Sequence, residues 1–541
     1  MKIFKLLFIN FFFISLSTFS QTPSDYLSKE FHKSRREVLR SKMPQNSVAV
    51  VFANSIRNRA NDVNYVFHQD PNFYYLTGYK EPNAVLVMFS EEQTNEKGEL
   101  YSEMIFVQER NKQAEMWNGK RLGIEGAKSE LGFSQAYNGR DFAKMFIDFK
   151  KFDTVFIEKF EDDYRNLAGS ADIFDLVKTF KQNAGYNPDL YLSNAKQYVY
   201  KNISDTPIER SANVVQIITD IEDRYAEIKE DELIKKYKTA ATDELKNEIR
   251  QKVILALKPE TNIELQFLSS NLATMREVKT KEELKLLTKA VRISAVGQVE
   301  VMKAMKPHMS EIELQGIHEF VYKKYGAEYE GYPSIVGAGN NGCILHYIEN
   351  NKTKVGNDLV LMDLGAEYRG YTADVTRTIP ANGKFSPAQK EIYDLVYEAQ
   401  EAGIAEYVVG TSMAKPNQTA IKIINEGLFA LGIIKTVDEK HNYFPHGTSH
   451  HIGLDVHDPG NYITFEKNMV VTMEPGIYIP EGSNCDEKYW GIAVRIEDDI
   501  LITENTPINL SGEAPRKSEE IEKMMAKKSV LNKFILPDLD K

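Results

Sequence analysis

The sequence predicts an α+β fold, and three observations predict it. Amphipathic helices opened by capping boxes stand in the C-terminal half. Short apolar strands come in runs between and after those helices. They do not alternate one-to-one with helices, as a doubly wound sheet would require. The chain has 541 residues, 42% of them hydrophobic and 27% charged. That length allows roughly two to four domains, and that composition excludes a disordered chain. No self-similarity at a solenoid period is present. The formal charge of −11 argues against a nucleic-acid partner, because phosphate binding needs a surplus of Lys and Arg.

In chain order, Lys2 and Lys5 precede an apolar run, Leu6 to Leu16, broken only by Asn10 and Ser15; Thr18 and Ser20 follow. This is the layout of a cleavable signal peptide over 1–20. The run is too short to span a bilayer, which needs ~20 apolar residues. The expectation is an exported protein, periplasmic or secreted, without a stable membrane anchor. Residues 25–200 mix strand and helix signals and form an N-terminal domain. Ser47–Ala53, Ala84–Phe89 and Met104–Val107 are short, apolar and rich in β-branched residues, the pattern of buried strands. Asp70 to Gly78 between them reads as an aromatic-rich turn. Residues 203–275 are densely charged and lack Gly, so two or three solvated helices linking two domains are expected. A catalytic domain is placed at 280–525, with a tail at 526–541. Within it Thr280-x-x-Glu283, Ser310-x-x-Glu313 and Ser386-Pro387-x-Gln389 each open a helix, the first ending before Pro307. Strands are expected over Leu359–Gly365, Tyr371–Ile379, Met469–Met473, Gly476–Ile479 and Ile492–Ile502. Two cysteines, Cys343 and Cys485, read as small buried thiols.

The chemistry gathers in that half. Asp363 and Asp374 lie in apolar strands that form the arms of one hairpin. A turn centred on Tyr368-Arg369 sets them opposite each other. Like charges facing across a sheet are destabilising, and buried carboxylates are costlier still, unless a cation compensates. Four of the ten histidines (His446, His450, His451 and His457) fall within twelve residues, with Gly447 and Gly453 between them. Clusters of this kind serve as ligands or acid/base groups. Glu474 ends the strand MVVTM, and Arg495 and Glu497 share one face of the last strand, as an ion pair or as part of a site. Four carboxylates and a histidine suit a hard or borderline ion such as Mn²⁺, and five donors exceed what one ion takes from protein. A site for two divalent ions is expected.

These residues resemble the "pita-bread" metallopeptidases, most closely the Xaa-Pro aminopeptidase (aminopeptidase P) family, M24B. Its aspartate pair matches Asp363 and Asp374 in MDLGAEYRGYTADVTRTIP. Its metal histidine matches His450 in HGTSHHIGLDVHD, and its two glutamates match Glu474 in MEPG and Glu497 in VRIEDD. HQDPNFYYLTGYKEPNAVLVM resembles the family's non-catalytic, mixed-sheet α/β domain. The resemblance implies a pita-bread catalytic domain, two divalent ions (Mn²⁺ first) and removal of a residue preceding proline from peptides. It implies that Asp363, Asp374, His450, Glu474 and Glu497 are the metal ligands, with Glu474 as general base. His346 and His457 would bind substrate and shuttle protons. His446, Tyr478 and Arg495 would line the substrate pocket, Arg495 also orienting the carboxylates. A homo-oligomer, dimer or tetramer, is implied as well. Rival expectations are a prolidase-like Xaa-Pro dipeptidase, a metal-free peptide-binding module, and a creatinase-like hydrolase. The last predicts missing carboxylates, and all are present here.

Overall fold

The structure, a computed structural model, describes residues 23–160, 171–257 and 261–533. The expected signal peptide and residues 534–541 of the expected tail lie outside them. Two compact units are present. One comprises Ser28–Val278 with His457–Ile463; the other comprises residues 23–27, Lys279–Val456 and the chain from Thr464 onward.

The first unit is built on a six-stranded mixed sheet. In spatial order its strands are Ala136–Asn138, Leu100–Val107, Val85–Thr94, Ser47–Phe52, Thr154–Phe156 and Ile263–Glu264. Val85–Thr94 runs antiparallel to both its neighbours, and the other pairings are parallel. Both faces of the strand Ser47–Phe52 are apolar, and from one of them Val48 and Val50 pack with Phe106, Phe149 and Phe180 in one cluster. Asp70 to Gly78 is not a turn. Pro71–Thr77 is a helix, because Asp70 caps its N-terminus on Phe73 N, Pro71 occupies the first turn, and Gly78 closes it at φ 70°. The 203–275 segment is more than solvated linkers. Among the described residues it holds five helices, Ser211–Ile221, Ala226–Glu230, Glu232–Thr239, Asp243–Ala256 and Phe267–Glu277. Ile203, Val214, Ile218, Ile234, Tyr237 and Val253 form a core of their own there. The residues 457–463 join this unit through Asp458, which accepts from Arg276 Nη2 (2.5 Å), and Asn461, whose N–H donates to Glu277 (2.8 Å).

In the second unit all three capping boxes form. They open the helices Lys281–Ala304, Glu311–Lys324 and Pro387–Ala405. Helices flank small antiparallel sheets. Leu359–Asp363 lies between Ile335–Ala338 and Thr376–Pro380, Val470–Met473 pairs with Asp498–Leu501, and Gly476–Ile479 pairs with Ile492–Arg495. No helix among the described residues is long and apolar enough to cross a membrane.

The expected hairpin register is corrected. Its turn is Arg369-Gly370, between the pairs Tyr368↔Tyr371 and Glu367↔Thr372, so Asp363 faces Thr376 and not Asp374. Both turn residues have positive φ, 54° and 85°. That geometry matches strand twist and favours Gly at the second place. Arg369 tolerates it because Asp25 and Glu328 hold its guanidinium. Two further expected strands are interrupted, at 373–375 and at 496–497.

Candidate metal centre

The interruptions place the acids. Asp374 sits in the unpaired stretch 373–375 and Glu497 in the break between two strands, while Glu474 directly follows its strand and Asp363 ends its own. Leaving the pleat frees Asp374, Glu474 and Glu497 to turn toward Asp363, which stays paired at the end of its strand. His450 stands on a loop held along the strand Val470–Met473 by Thr472 N to His450 O (3.0 Å) and Glu474 N to Thr448 O (3.0 Å).

The side chains converge. Donor atoms of Asp374, His450 and Glu497 lie within 4.8 Å of one another. His450 Nε2 is 3.5 Å from Asp374 Oδ2 and 3.6 Å from Glu474 Oε1. Its Nδ1 lies 3.1 Å from the His451 carbonyl. That contact assigns the proton to Nδ1 and leaves the Nε2 lone pair facing the carboxylates, the orientation of a metal-ligating imidazole. Tyr332 OH lies 2.6 Å from Asp363 Oδ1 and 2.5 Å from Asp374 Oδ1. Thr376 Oγ1 donates to Glu497 Oε2 (2.6 Å), and Asp374 N donates to the buried Asp499 carboxylate (3.0 Å).

Arg495 Nη2 donates to Asp363 Oδ2 (2.5 Å) and Nη1 to Tyr478 OH (2.9 Å). Tyr478 OH is also 2.7 Å from His446 Nε2. The candidate pocket residues His446, Tyr478 and Arg495 therefore form one chain that ends on Asp363. Among the carboxylates, Arg495 thus orients Asp363. His346 is exposed, just after Leu345, whose carbonyl accepts from Arg495. His457 belongs to the 457–463 segment of the other unit. Tyr332, Thr376 and Asp499 escaped the sequence reading. Tyr332 precedes Asp363 by 31 residues and carries no motif of its own.

The electrostatics expose a charge imbalance. Burial, then Glu497 and Asp363, push the Asp374 carboxyl well above its ordinary range. Burial, then Glu497, do the same to Glu474, and burial with Asp363 raises Glu497. Burial also works to raise Asp363, but the Arg495 guanidinium and Tyr332 outweigh it and hold the group low. Burial brings His446 down to about 4, so it is neutral at pH 7 and its 3.6 Å approach to Glu474 is no ion pair. One guanidinium faces four carboxylates in a largely buried site. Such a set cannot stay ionised without further positive charge. Its oxygen-rich donors and one imidazole are what a hard or borderline divalent cation takes, so the residues fit the expected metal.

Fold and site together define a metal-dependent hydrolase. The family model "Metallopeptidase family M24" matches residues 285–504, and "Aminopeptidase P, N-terminal domain" matches 32–156. The chain is 33% identical to Xaa-Pro aminopeptidase of Escherichia coli over 92% of its length and 98% of that protein's, and 28% identical to human Xaa-Pro aminopeptidase 3 over 89% and 81%. Among solved structures, E. coli aminopeptidase P with the inhibitor Pro-Leu superposes with a TM-score of 0.70 at 30% identity, covering 92% of this chain and 98% of that one. A zinc-substituted form of that enzyme in complex with product gives 0.71 at 31%, with the same coverage. The chain belongs to metallopeptidase family M24, among the members that carry the aminopeptidase P N-terminal domain. It is thus an enzyme of a class that uses divalent metal ions, with the aminopeptidase P fold.

Proposed function

We propose that the protein is an exported aminopeptidase that removes the N-terminal residue from peptides whose second residue is proline, using two divalent ions, Mn²⁺ first among them. The observation that carries this reading is the convergence of Asp363, Asp374, Glu474 and Glu497 with His450 Nε2. The extent of the likeness to Xaa-Pro aminopeptidases supports the substrate class. A bond to proline has no amide hydrogen and a fixed φ, which general peptidases fit poorly.

Asp363, Asp374, His450, Glu474 and Glu497 would hold the ions, which supply Lewis acidity and lower the pKa of bound water toward 7. Glu474 accepts the proton of the attacking water. Arg495 and Tyr332 keep Asp363 and Asp374 aimed inward. His446 is neutral and bonded to Tyr478, so it can contact a polar group of the substrate without bringing charge. His346, exposed beside this chain, delivers a proton to the departing proline nitrogen, which cannot leave as an anion.

The test uses mature protein stripped with chelator and assayed on Xaa-Pro peptides of two, three and five residues, before and after Mn²⁺ is restored. Cleavage of all lengths only with metal is expected. Cleavage of the dipeptide alone would make it a prolidase-like dipeptidase, and activity without metal would end the reading. Export rests on the Lys2–Ser20 layout. N-terminal sequencing of the protein recovered outside the cytoplasm should begin near Gln21; retention of Met1 would refute it.

A further inference from the structure

Two buried glutamines stand behind the carboxylates, and nothing in the expected chemistry uses them. Gln298, on the helix Lys281–Ala304, is fully buried. Its Nε2 donates to two carbonyls, Met362 O (3.0 Å) and Val375 O (2.8 Å). Met362 immediately precedes Asp363, and Val375 immediately follows Asp374. Gln400, on the helix Pro387–Ala405, is equally buried. Its Nε2 donates to Met473 O (3.1 Å) and Ile496 O (3.1 Å), and to Asp498 Oδ2 (2.9 Å). Met473 immediately precedes Glu474, and Ile496 immediately precedes Glu497. Each helix thus offers one amide to the two backbone segments that carry one pair of acids.

The chemistry explains why an amide is used. Two carbonyls that meet away from water need two protons from one point, and a glutamine NH₂ supplies both at Gln298 without adding charge to an acid-rich site; at Gln400 the two protons are shared among the two carbonyls and Asp498. The helices are brought close enough to reach. One turn before Gln298, Ser294 Oγ accepts from Ala366 N (2.9 Å). Three residues after Gln400, the Met473 side chain packs against the bare Cα of Gly403, where a Cβ would lie 1.9 Å from Met473 Cε. Gln400 is itself held, since Arg516 Nη1 donates to its Oε1 (2.9 Å).

We infer that Gln298 and Gln400 are positioning residues: Gln298 fixes the separation of the Asp363 and Asp374 segments, Gln400 that of the Glu474 and Glu497 segments, and together they set the spacing of donors that a divalent cation meets. The inference rests on the metal-dependent reading above. It goes further, because these two residues touch neither substrate nor the donor atoms, and act only through the backbone that bears them.

The test compares wild type with Gln298→Met and Gln400→Met, which keep the volume and lose the donor. Leu287→Val is the control; it is buried on the same helix as Gln298 and belongs to no clamp. Apo proteins are titrated with Mn²⁺ in competition with a fluorescent chelator, melting temperatures are recorded, and kinetics follow at saturating Mn²⁺ on an Xaa-Pro tripeptide. Both Met variants should lose Mn²⁺ affinity by about 10-fold or more, the usual effect of removing an outer-shell partner. Their kcat should fall while KM stays within about twofold. The control should lower the melting temperature and leave affinity and kcat unchanged. Met variants that melt lower but bind Mn²⁺ as wild type does would overturn the inference. Should either Met variant fail to fold, the matching Asn variant keeps an amide one methylene short; weakened Mn²⁺ binding in it supports the clamp, and native binding overturns it. Wild type that binds no Mn²⁺ would instead sink the metal-dependent reading itself.

Discussion

A carboxylate crowded among others in a largely buried site persists as an anion only where something balances it, and Glu474 has little to do so. Its nearest nitrogens are those of His450 and the neutral His446, each at 3.6 Å; Arg495 favours its charge, but burial and Glu497 outweigh it. Glu474→Gln keeps the shape, removes the proton acceptor and relieves repulsion in the metal-free protein. The expected outcome is a loss of kcat of about 10²–10⁴-fold, the range for a lost general base, with an apo melting temperature equal to or above that of wild type. Steady-state kinetics and thermal denaturation check the two halves separately. A lower melting temperature with little kinetic loss would assign Glu474 a structural part. The acids were legible one by one because each breaks an apolar strand pattern, as Asp363 does in LVLMD, and the histidines because they cluster around glycines. Tyr332, Gln298 and Gln400 were not. Each acts across 31 to 98 residues of sequence, and a buried glutamine on an amphipathic helix looks locally like an ordinary polar position.

At the scale of elements, local start and stop signals determine where helices form. All three capping boxes open helices as their spacing predicts, yet Asp70-Pro71 with Gly78 carries equally clear start and stop signals around a helix that reads as a turn. Aromatic crowding masked it, since Phe73, Tyr74 and Tyr75 are all buried and leave no polar face to reveal a period. The hairpin error has a simpler cause. Centring the turn on Tyr368-Arg369 ignores that Gly370 is the residue free to take φ 85°. The corrected geometry makes Gly365 critical. A Cβ there would lie 1.8 Å from Ala373 O, in the stretch that carries Asp374. Gly365→Ala must displace that backbone. It should destabilise the protein by about 1–3 kcal/mol, the range for overpacking, and weaken Mn²⁺ binding, as urea unfolding and metal titration would show. Native metal affinity in the variant would mean that the 373–375 stretch does not set the donor spacing.

At the scale of the molecule, the strands of the N-terminal unit and the capped helices of the other were foreseeable from periodicity and capping signals, and the mixed sheet from the family resemblance. The core of the 203–275 helices was not, because charges on their outer faces dominate the sequence while Ile218, Ile234 and Tyr237 are spread thinly among them. Each unit also buries a histidine, and that gives the whole chain a common acid response. In the N-terminal unit, burial brings His32 down to about 4, despite the bond between Nδ1 and Tyr75 O (3.0 Å). In the other unit, burial alone brings His318 down to about 3. An unfolded chain protonates both near 6.5, so above that pH neither group affects stability. As the pH falls below 6.5 the unfolded state takes up protons that the folded state refuses, and stability drops until the folded values are reached. The slope is about 1.4 kcal/mol per pH unit for each histidine. His318→Leu removes one of these contributions and leaves no partner unsatisfied, because neither ring nitrogen of His318 has one among the described residues. Relative to wild type the variant should gain about 2 kcal/mol between pH 7.5 and pH 5. Urea unfolding reports it through Trp490, which lies in the same unit and donates to Ser483 O (2.9 Å); Trp117 is 79% exposed and changes little. A stability difference that is the same at both pH values would mean that His318 titrates normally in the folded protein, and that the packing around it admits a charge.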